Sequence, residues 1–264
     1  MGRVCRGGNR AGQDRVPTVC PLCDDRGVLA MTSTGRFLDW EGCFNIRELG
    51  GLGQVAPGRA VRADALDRLT ARGWTALADH GVRTVVDLRN DGEAEADQAP
   101  RPAGLRTVRI PLDGIEDREF WDEWWGRPGF GTPAYFRPFL SRFPERVAAV
   151  AEAVADAPPG GVAFHCGLGR DRTGIIALVL LRLMGAEPGE IADDHGLSEP
   201  RVRAMYAARG RAYDSTEIEE YVAGLGTTVH RLALDTARWL DPEPYLRAGG
   251  LSAPVLLRLC RRLG

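Results

Sequence analysis

The chain has 264 residues, 44% of them hydrophobic and 27% charged, so it can bury a sizeable core and is neither disordered nor collagen-like. Its 34 basic and 36 acidic residues leave a net charge of -2, which excludes a global field that would draw it onto nucleic acid or an anionic membrane. Every basic residue is arginine. Coding bias in a GC-rich genome explains the use of arginine in place of lysine throughout the chain. The need for a planar, permanently charged fork explains arginine at single functional positions.

The N-terminal segment differs from the rest of the chain. Residues 1–30 lack the apolar stretch of a secretory signal, and we expect them to be a disordered or upstream extension, with Met31 as the natural start. The longest apolar run, residues 175–181, is far shorter than the roughly 20 residues that a membrane span needs. We therefore expect a cytoplasmic protein with no stable membrane insertion and one domain over residues 31–264.

The six cysteines stand at irregular spacings, unlike the disulfide framework of a small secreted domain. Cys20 and Cys23 form a C-x-x-C pair, and a zinc site needs two further ligands. Cys5 and Cys43 would complete four ligands, and thiol redox chemistry is a further alternative. The simpler interpretation is that the protein needs no metal and no other cofactor.

Beyond Met31, short apolar runs alternate with longer amphipathic stretches, which is the pattern of an α/β domain. Strands are expected at residues 59–62, 82–88, 105–112 and 162–165. Helices are expected at residues 66–80, 133–143, 145–156 and 173–184. Beyond residue 186 the pattern is helical to the end, with breaks near Gly196, Gly210, Gly224 and Pro242.

Aromatic side chains crowd the segment 117–135. Both a core or lid packed over the sheet and an aromatic wall beside a ligand pocket fit this pattern. The residues are Phe120, Trp121, Trp124, Trp125, Phe130 and Tyr135.

The stretch His165-Cys-Gly-Leu-Gly-Arg-Asp-Arg-Thr-Gly174 lies between a predicted strand and a predicted helix. Gly167 and Gly169 allow backbone N–H groups to point inward, and such a nest at a helix N-terminus binds a phosphate-sized oxyanion. Arg172, six residues after Cys166, would return across the loop and hold two oxygens in a bidentate grip.

Cys166 is the candidate nucleophile of this stretch. Loop amides and the helix dipole stabilise negative sulfur, and a thiolate facing a bound phosphate attacks phosphorus. Thr173 would donate a hydrogen bond to that sulfur, and His165 would fix the geometry of the loop. A cysteine after a strand is also a common core residue, and glycines before a helix are often only a turn. The joint pattern Cys-x5-Arg-Thr in this strand-to-helix context favours the site.

Cys-x5-Arg-(Ser/Thr) is the signature of the protein tyrosine phosphatase superfamily, and the stretch resembles the H-C-x-x-G-K-D-R-T-G loop of the bacterial tyrosine/serine phosphatases. Further segments are similar to motifs of that branch: residues 45–51 (NIRELGG), 62–66 (RADAL), 87–89 (DLR) and 245–251 (YLRAGGL). The resemblance covers residues 36–262. Arg170 departs from it, because the branch usually has lysine there.

The resemblance implies a central, mostly parallel sheet flanked by helices, with a helical C-terminal part and a helical lid at residues 187–225. It implies two-step hydrolysis of phosphate monoesters, in which Cys166 takes the phosphoryl group and water then releases it. No metal is needed, because arginine and amides supply the positive field. The substrate-binding residues that it implies are Gly167, Leu168, Gly169, Arg170, Arg172, Thr173 and Gly174.

The leaving oxygen needs a proton from a carboxylic acid. In this branch the acid lies inside the loop, which here is Asp171. Asp113, after a predicted strand, is the alternative acid or a solvated turn residue. Asp87 and Arg89 end a strand that should neighbour the loop, since ligands of open α/β sheets lie beyond the carboxyl ends of the strands. They either support the loop or form a plain surface ion pair.

Phosphorylated proteins are the expected substrates, with phosphotyrosine first and dual specificity towards phosphoserine or phosphothreonine second. Phospholipid headgroups, as in phosphoinositides, are the alternative, which the different reach of Arg170 puts in question. A rhodanese-like sulfurtransferase and a non-catalytic phosphate-binding module are rival functions. The first does not require the Arg-Thr-Gly found here, and inactive relatives usually lose the cysteine or the arginine.

Overall fold

The computed structural model of the protein describes residues 33–264, so the predicted extension at residues 1–30 lies outside it. In this range five strands form one sheet with the spatial order β1-β2-β5-β3-β4. The strands are β1 (Arg47–Glu48), β2 (Ala60–Ala63), β3 (Val82–Asp87), β4 (Arg106–Arg109) and β5 (Gly161–His165). β1 runs antiparallel to β2, and the other neighbours are parallel. The predicted mostly parallel sheet is confirmed.

The α-helices of the described range surround this sheet and continue to the C-terminus. The first five are α1 (Ala71–Asp79), α2 (Arg118–Trp124), α3 (Phe136–Arg142), α4 (Pro144–Ala155) and α5 (Asp171–Leu183). The rest are α6 (Pro188–Gly196), α7 (Ser198–Ala208), α8 (Thr216–Gly224), α9 (Val229–Trp239), α10 (Pro242–Ala248) and α11 (Ala253–Leu263). The helical C-terminal part is confirmed, and no helix in the described residues is long and apolar enough to cross a bilayer.

The strand sequences explain where each strand lies. Val82 and Val85 of β3 pack on one face of the sheet and Val86 on the other, and all three are buried because a central parallel strand is covered on both faces. β4 is an edge strand with three exposed residues, and it ends at Arg109. Pro111 follows soon after and has no N–H for a ladder, so the predicted strand 105–112 is shorter than expected.

Two predicted helices begin later than expected. In place of a continuous helix over residues 66–80, a 3-10 turn covers Leu66–Arg68 and α1 begins only after Thr70. The hydroxyl of Thr70 accepts a hydrogen bond from Gly73 N at 3.2 Å, and this N-cap fixes the helix start. Similarly, a 3-10 turn over Pro133–Tyr135 precedes α3.

Helices cover both faces of the sheet. On one face Trp74 and Leu77 of α1 pack with Val61 and Val85 of the strands. On the other face α5 packs with α3, α4 and the C-terminal helices against side chains such as Phe164. Eleven of the thirteen residues of α5 are buried, as befits a helix that is apolar nearly all round. α5 is thus a rigid central element.

The aromatic segment serves mainly as core. Phe120 and Trp121 are buried, and the ring of Phe120 lies 5.0 Å from that of Phe143. Trp125, at the edge of this aromatic cluster, is by contrast 58% exposed. It lines a cleft of about 400 Å³ together with Ile115 and Trp121.

Parallel pairing brings the carboxyl ends of four strands to one edge of the sheet. Asp87 of β3 is in register with His165 of β5 and Arg109 of β4, and His165 is in register with Ala63 of β2. The segments that follow these residues therefore meet at this edge, where open α/β sheets place their sites.

Candidate active site

The Cys166 loop (residues 166–172) joins β5 to α5, which begins at Asp171. Gly169 in this loop has φ +67°, and a Cβ there would lie 2.7 Å from the carbonyl carbon of Ala63. Only glycine fits this turn. Gly167 has no such constraint, because nothing lies within 4 Å of the place a Cβ would take.

The backbone carbonyls of three successive loop residues accept hydrogen bonds from other segments of the chain. The oxygens of residues 167–169 accept hydrogen bonds from Ala65 N (3.2 Å), Asn45 Nδ2 (3.0 Å) and Arg62 Nη2 (3.0 Å), in that order. The N–H and C=O groups of a trans peptide point in opposite directions. The amides of residues 168–170 therefore face away from these donors, as an oxyanion nest requires.

Two of these donors lie in segments that the sequence analysis compared with family motifs, and the hydrogen bonds give those segments a structural role. Asn45 begins residues 45–51 and Arg62 begins residues 62–66, so both segments hold the loop by its carbonyls. Asp64 fastens the first segment, since its Oδ1 accepts a hydrogen bond from Asn45 N at 3.0 Å. Burial raises the pKa of Asp64 to about 6.

A buried cluster around Asp194 of α6 holds Arg62 in turn. Three guanidinium groups reach the Asp194 carboxylate: Arg36 Nη1 (2.9 Å), Arg47 Nε (2.9 Å) and Arg62 Nη1 (2.6 Å). Burial alone would raise the pKa of Asp194, but the three cations outweigh it and hold that pKa far below its ordinary value. The cluster fixes Arg62 and leaves an excess of positive charge next to the loop.

Arg172 is held by two acidic residues from other segments, Glu93 and Asp113, which Asn90 links; we name these three residues the Arg172 bracket. Arg172 Nη1 and Nη2 donate to Glu93 Oε1 at 2.8 Å and Oε2 at 2.7 Å. Nη1 also lies 3.1 Å from Asp113 Oδ2. Asn90 joins the two carboxylates, since its N donates to Glu93 Oε1 at 3.0 Å and its Nδ2 to Asp113 Oδ2 at 2.7 Å.

Charge and burial act in opposite directions on the bracket. Burial raises the pKa of Asp113 although Arg172 opposes it. Burial alone would also raise the pKa of Glu93, but hydrogen bonds from Arg172 outweigh it and lower that pKa. For Arg172, burial alone would lower the pKa, but the hydrogen bonds to Glu93 and the interactions with Cys166 and Asp113 outweigh burial and raise that pKa. The bracket and Cys166 thus share one electrostatic site.

Arg170 is engaged by side chains of its own loop and of the segment beyond residue 197. Its Nε donates to Asp171 Oδ1 at 3.1 Å, and its Nη1 donates to the hydroxyl of Tyr213. The same Nη1 lies 3.6 Å from Glu199 Oε2 on α7. Arg170 is buried, and it joins the loop to the helical segment beyond residue 197.

Asp87 and Arg89 are both buried, which excludes a plain surface ion pair. Arg89 donates from Nε to Asp87 Oδ1 at 2.9 Å and from Nη2 to Oδ2 at 3.0 Å. Burial alone would raise the pKa of Asp87, but Arg89 outweighs it and lowers that pKa. His165 lies beside this pair, and its Nδ1 donates to Cys166 O at 3.2 Å. Burial lowers the pKa of His165 to about 4, so the ring is neutral at pH 7.

The remaining predicted residues take different places. The Thr173 hydroxyl is buried in the first turn of α5 and has no hydrogen-bond partner among the described residues. Gly174 packs against another helix, because a Cβ there would lie 3.1 Å from His195 Nδ1. Leu168 contributes its carbonyl to the anchoring of the loop. Among the cysteines of the zinc alternative, Cys43 donates to Ala65 O at 3.2 Å, and residues 5, 20 and 23 lie outside the described range.

These features define a class of site. Cys166 begins a loop whose amides face inward at the N-terminus of a buried helix. Arg172, six residues later, lies close enough to Cys166 to interact with it electrostatically. Such a loop suits a phosphate group, whose oxygens accept from amides and from a guanidinium fork.

Comparison with known proteins shows the family to which the chain belongs. The sequence profile of the tyrosine phosphatase family matches residues 38–263, and the chain belongs to that family. A tyrosine-protein phosphatase of Nostoc commune is 30% identical over 223 residues, which are 77% of this chain and 74% of the relative. A Cupriavidus necator protein named for the same activity is 31% identical over 169 residues, 60% of this chain and 61% of its own length. The crystal structure of P. aeruginosa TpbA shares 18% identity over 74% of this chain and 91% of that chain, with a TM-score of 0.34, a remote likeness.

Proposed function

We propose that this chain hydrolyses phosphate monoesters of proteins, phosphotyrosine first, through a phosphocysteine intermediate at Cys166. The observation that carries the proposal is the anchoring of the Cys166 loop by its carbonyls. Because Ala65, Asn45 and Arg62 hold these oxygens on one side, the amides are aligned on the other before any substrate arrives. Such preorganised donors are the main source of electrostatic stabilisation in phosphoryl transfer.

The first step forms the bond between Cys166 Sγ and phosphorus and breaks the ester bond between phosphorus and the leaving oxygen. The inward amides and Arg172 stabilise the charge on the three equatorial oxygens. In the second step water attacks phosphorus, the P–S bond breaks, and inorganic phosphate leaves with the thiolate restored.

The proposed acid is Asp171, which gives its proton to the leaving oxygen and recovers one from the attacking water. Its side chain is 18% exposed at the start of α5 and accepts a hydrogen bond from Arg170 Nε at 3.1 Å, whereas that of Asp113 is only 4% exposed and is held by both Asn90 and Arg172. An acid of this kind contributes roughly 10²- to 10⁴-fold. Asp171→Asn should therefore lower kcat on substrates with poor leaving groups far more than Asp113→Asn does. The reverse order would reassign the acid to Asp113.

The state of Arg170 supports a phosphoprotein substrate over a phosphoinositide. A second phosphate needs a free cation at the rim, and this guanidinium is buried and engaged by Asp171, Tyr213 and Glu199. Phosphotyrosine, which carries one phosphate, does not need a second cation. A panel of phosphotyrosine peptides, phosphoserine peptides and phosphoinositides tests this, and higher kcat/KM on the phosphoinositides would overturn it.

Turnover of p-nitrophenyl phosphate without added metal tests the chemistry, with Cys166→Ser as the matched variant. We expect release of p-nitrophenol by the wild type and none by Cys166→Ser, and rapid acid quench should trap phosphate on the wild-type protein. A wild type as inactive as the variant would favour a phosphate-binding module. Sulfur transfer from thiosulfate would favour the rhodanese-like alternative.

A further inference from the structure

We infer that the cleft beside Trp125 binds an apolar side chain of the phosphoprotein substrate, a few residues from the phosphotyrosine. The inference rests on the proposed function, because it names a feature by which the chain selects among protein substrates. The cleft has a volume of about 400 Å³, and we name it the Trp125 cleft. Its lining residues are Ile115, Arg118, Trp121, Asp122 and Trp125.

The walls of the cleft carry exposed apolar surface. Ile115 is 48% exposed and Trp125 is 58% exposed, and they are two of the four exposed large hydrophobic side chains in the described part of the chain. Single exposed apolar residues are common on soluble proteins, whereas apolar surface gathered in one concave place marks an interaction site. The cleft therefore has the character of a binding surface.

The cleft adjoins the Cys166 loop on the side of the Arg172 bracket. Ile115 lies two residues after Asp113, and Asp113 Oδ2 is 3.1 Å from Arg172 Nη1. Two residues of chain span at most about 7 Å, so the cleft begins roughly 10 Å from the guanidinium of Arg172. An extended peptide advances about 3.3 Å per residue. A substrate side chain about two to four residues from the phosphotyrosine therefore reaches the cleft.

A second connection reaches the loop at Arg170. The ring of Phe130 is stacked on that of Trp125, with centroids 5.4 Å apart. The next residue, Gly131, borders Arg170, since a Cβ on Gly131 would lie 2.9 Å from Arg170 Nη2. The cleft is thus continuous with the surroundings of the phosphate-binding loop at two places. This continuity favours the substrate itself as the occupant over an unrelated partner.

Hydrogen bonds hold the cleft in shape before a substrate arrives. Trp121 Nε1 donates to Asp113 O at 2.8 Å and to Gly114 O at 3.1 Å, which fixes the buried indole against the loop after β4. Arg146 Nη1 donates to Pro111 O at 2.9 Å and holds the start of the same loop. A preformed cleft binds a side chain at a smaller cost in conformational entropy.

The chemistry of the cleft selects an apolar occupant, and an aromatic one best. Arg118 and Asp122 are both exposed and contribute one charge of each sign, so charge gives no net preference. Aromatic rings prefer edge-to-face or offset contacts with one another, and the exposed indole of Trp125 offers its face and its edge. Full burial of a phenylalanine side chain raises affinity by roughly 10- to 100-fold. The cleft is open to solvent, so we expect about 5- to 20-fold.

The experiment uses phosphotyrosine peptides that carry a single phenylalanine at one position, from four residues before to four residues after the phosphotyrosine, in an alanine and serine background. Phenylalanine about two to four residues away on one side should raise kcat/KM by about 5- to 20-fold over the peptide without it. The gain should appear mainly in KM, because the contact is made equally in the ground state and the transition state.

Three variants test whether this preference depends on the cleft. Trp125→Ala should lower the ratio of kcat/KM between the phenylalanine and alanine peptides to about 1. Ile115→Ser, a change in an exposed loop residue, should lower the same ratio and serves if Trp125→Ala does not fold. Trp239→Ala is the matched control, because Trp239 is 36% exposed, is stacked by Arg137 at 5.0 Å and does not line the cleft. It should keep the ratio of the wild type.

Several results would overturn the inference. One is a peptide panel in which no phenylalanine raises kcat/KM by more than about 2-fold. Another is a ratio that survives both Trp125→Ala and Ile115→Ser, or equal losses on both peptides and on p-nitrophenyl phosphate. A dimer in light scattering that Trp125→Ala dissociates, together with no peptide preference, would show that the cleft binds a second copy of the chain instead.

The outcomes also separate this inference from the proposed function. If the wild type hydrolyses p-nitrophenyl phosphate, Cys166→Ser does not, and no peptide is preferred, only the role of the Trp125 cleft is refuted. If the wild type has no cysteine-dependent turnover of any phosphotyrosine substrate, the proposed function fails and the role of the cleft fails with it.

Discussion

The sharpest stability prediction concerns Asp194, the anion that faces three buried arginines. Asp194→Asn keeps the size of the side chain and one acceptor oxygen, so it removes little besides the negative charge. The contacts that it weakens are 2.9, 2.9 and 2.6 Å long, and they involve Arg36, Arg47 and Arg62. The side chains of all three arginines are at most 2% exposed, so water cannot replace the lost charge.

The magnitude follows from the burial of the cluster. Removing one partner of a buried ion pair typically costs about 3–5 kcal/mol. The total stability of a domain is only about 5–15 kcal/mol, so Asp194→Asn should remove a large part of it. With an m-value of about 2–3 kcal/mol/M, the urea midpoint should fall by about 1–2.5 M. Loop anchoring should weaken as well, because Arg62 also donates to Gly169 O.

Urea unfolding followed by tryptophan fluorescence measures this loss, and Asp193→Asn is the matched control. Asp193 is the preceding residue on α6, its side chain is 76% exposed, and its partner is His230 at 2.9 Å. A surface pair of this kind contributes about 0–1 kcal/mol. Equal midpoints for the two variants would refute the view that the cluster depends on Asp194. A well-folded Asp193→Asn beside an Asp194→Asn that does not fold would support it.

Three further predictions concern backbone, pH and specificity. Gly169→Ala should lower both the melting temperature and turnover, because its φ of +67° adds about 1–2 kcal/mol to a clash with backbone; Gly189→Ala, with nothing within 4 Å, should do neither. Burial lowers the pKa of His195 from 6.5 to about 3. Below pH 6.5 the unfolded chain therefore binds a proton at this ring that the folded protein does not, and the folded state loses stability as the pH falls towards 3. Between pH 7 and 5.5 the wild type should lose about 1 kcal/mol of unfolding free energy relative to His195→Gln, as measured by urea unfolding. A constant difference between the two proteins would contradict this. Arg170→Lys loses the fork that engages Asp171 and Tyr213 together, so we expect turnover of phosphoinositides to rise relative to phosphotyrosine peptides; an unchanged ratio would show that the fork does not set specificity.

Features that depend on neighbouring residues could be predicted from the sequence. The valines of β3 and the apolar run of α5 define buried elements by composition alone, and the Cys166 loop carries its cysteine, glycines and arginine within seven residues. The late start of α1 had a local signal as well. Thr70 is a good N-cap residue, and its position three residues before Gly73 marks where the helix begins.

The contacts that hold the site could not be predicted in this way. Glu93 is 79 residues from Arg172 in the chain and lies in a segment with no periodic pattern, so spacing gives no reason to pair them. Arg62 and Asp194 are 132 residues apart. The engagement of Arg170 by Tyr213 depends on where the helices after residue 186 pack. Each of these pairs follows from topology, which single-sequence patterns do not contain.

The anchoring of the Cys166 loop has a consequence for folding. Asn45 reaches Leu168 across 123 residues and Arg62 reaches Gly169 across 107, so the loop takes its shape only when the first and last strands of the parallel set are in place. Closing such long loops costs entropy that only the complete core repays. A partly folded or nascent chain would hold Cys166 without the aligned amides. Under the proposed function such a chain has no turnover, so loss of turnover in denaturant should report global unfolding.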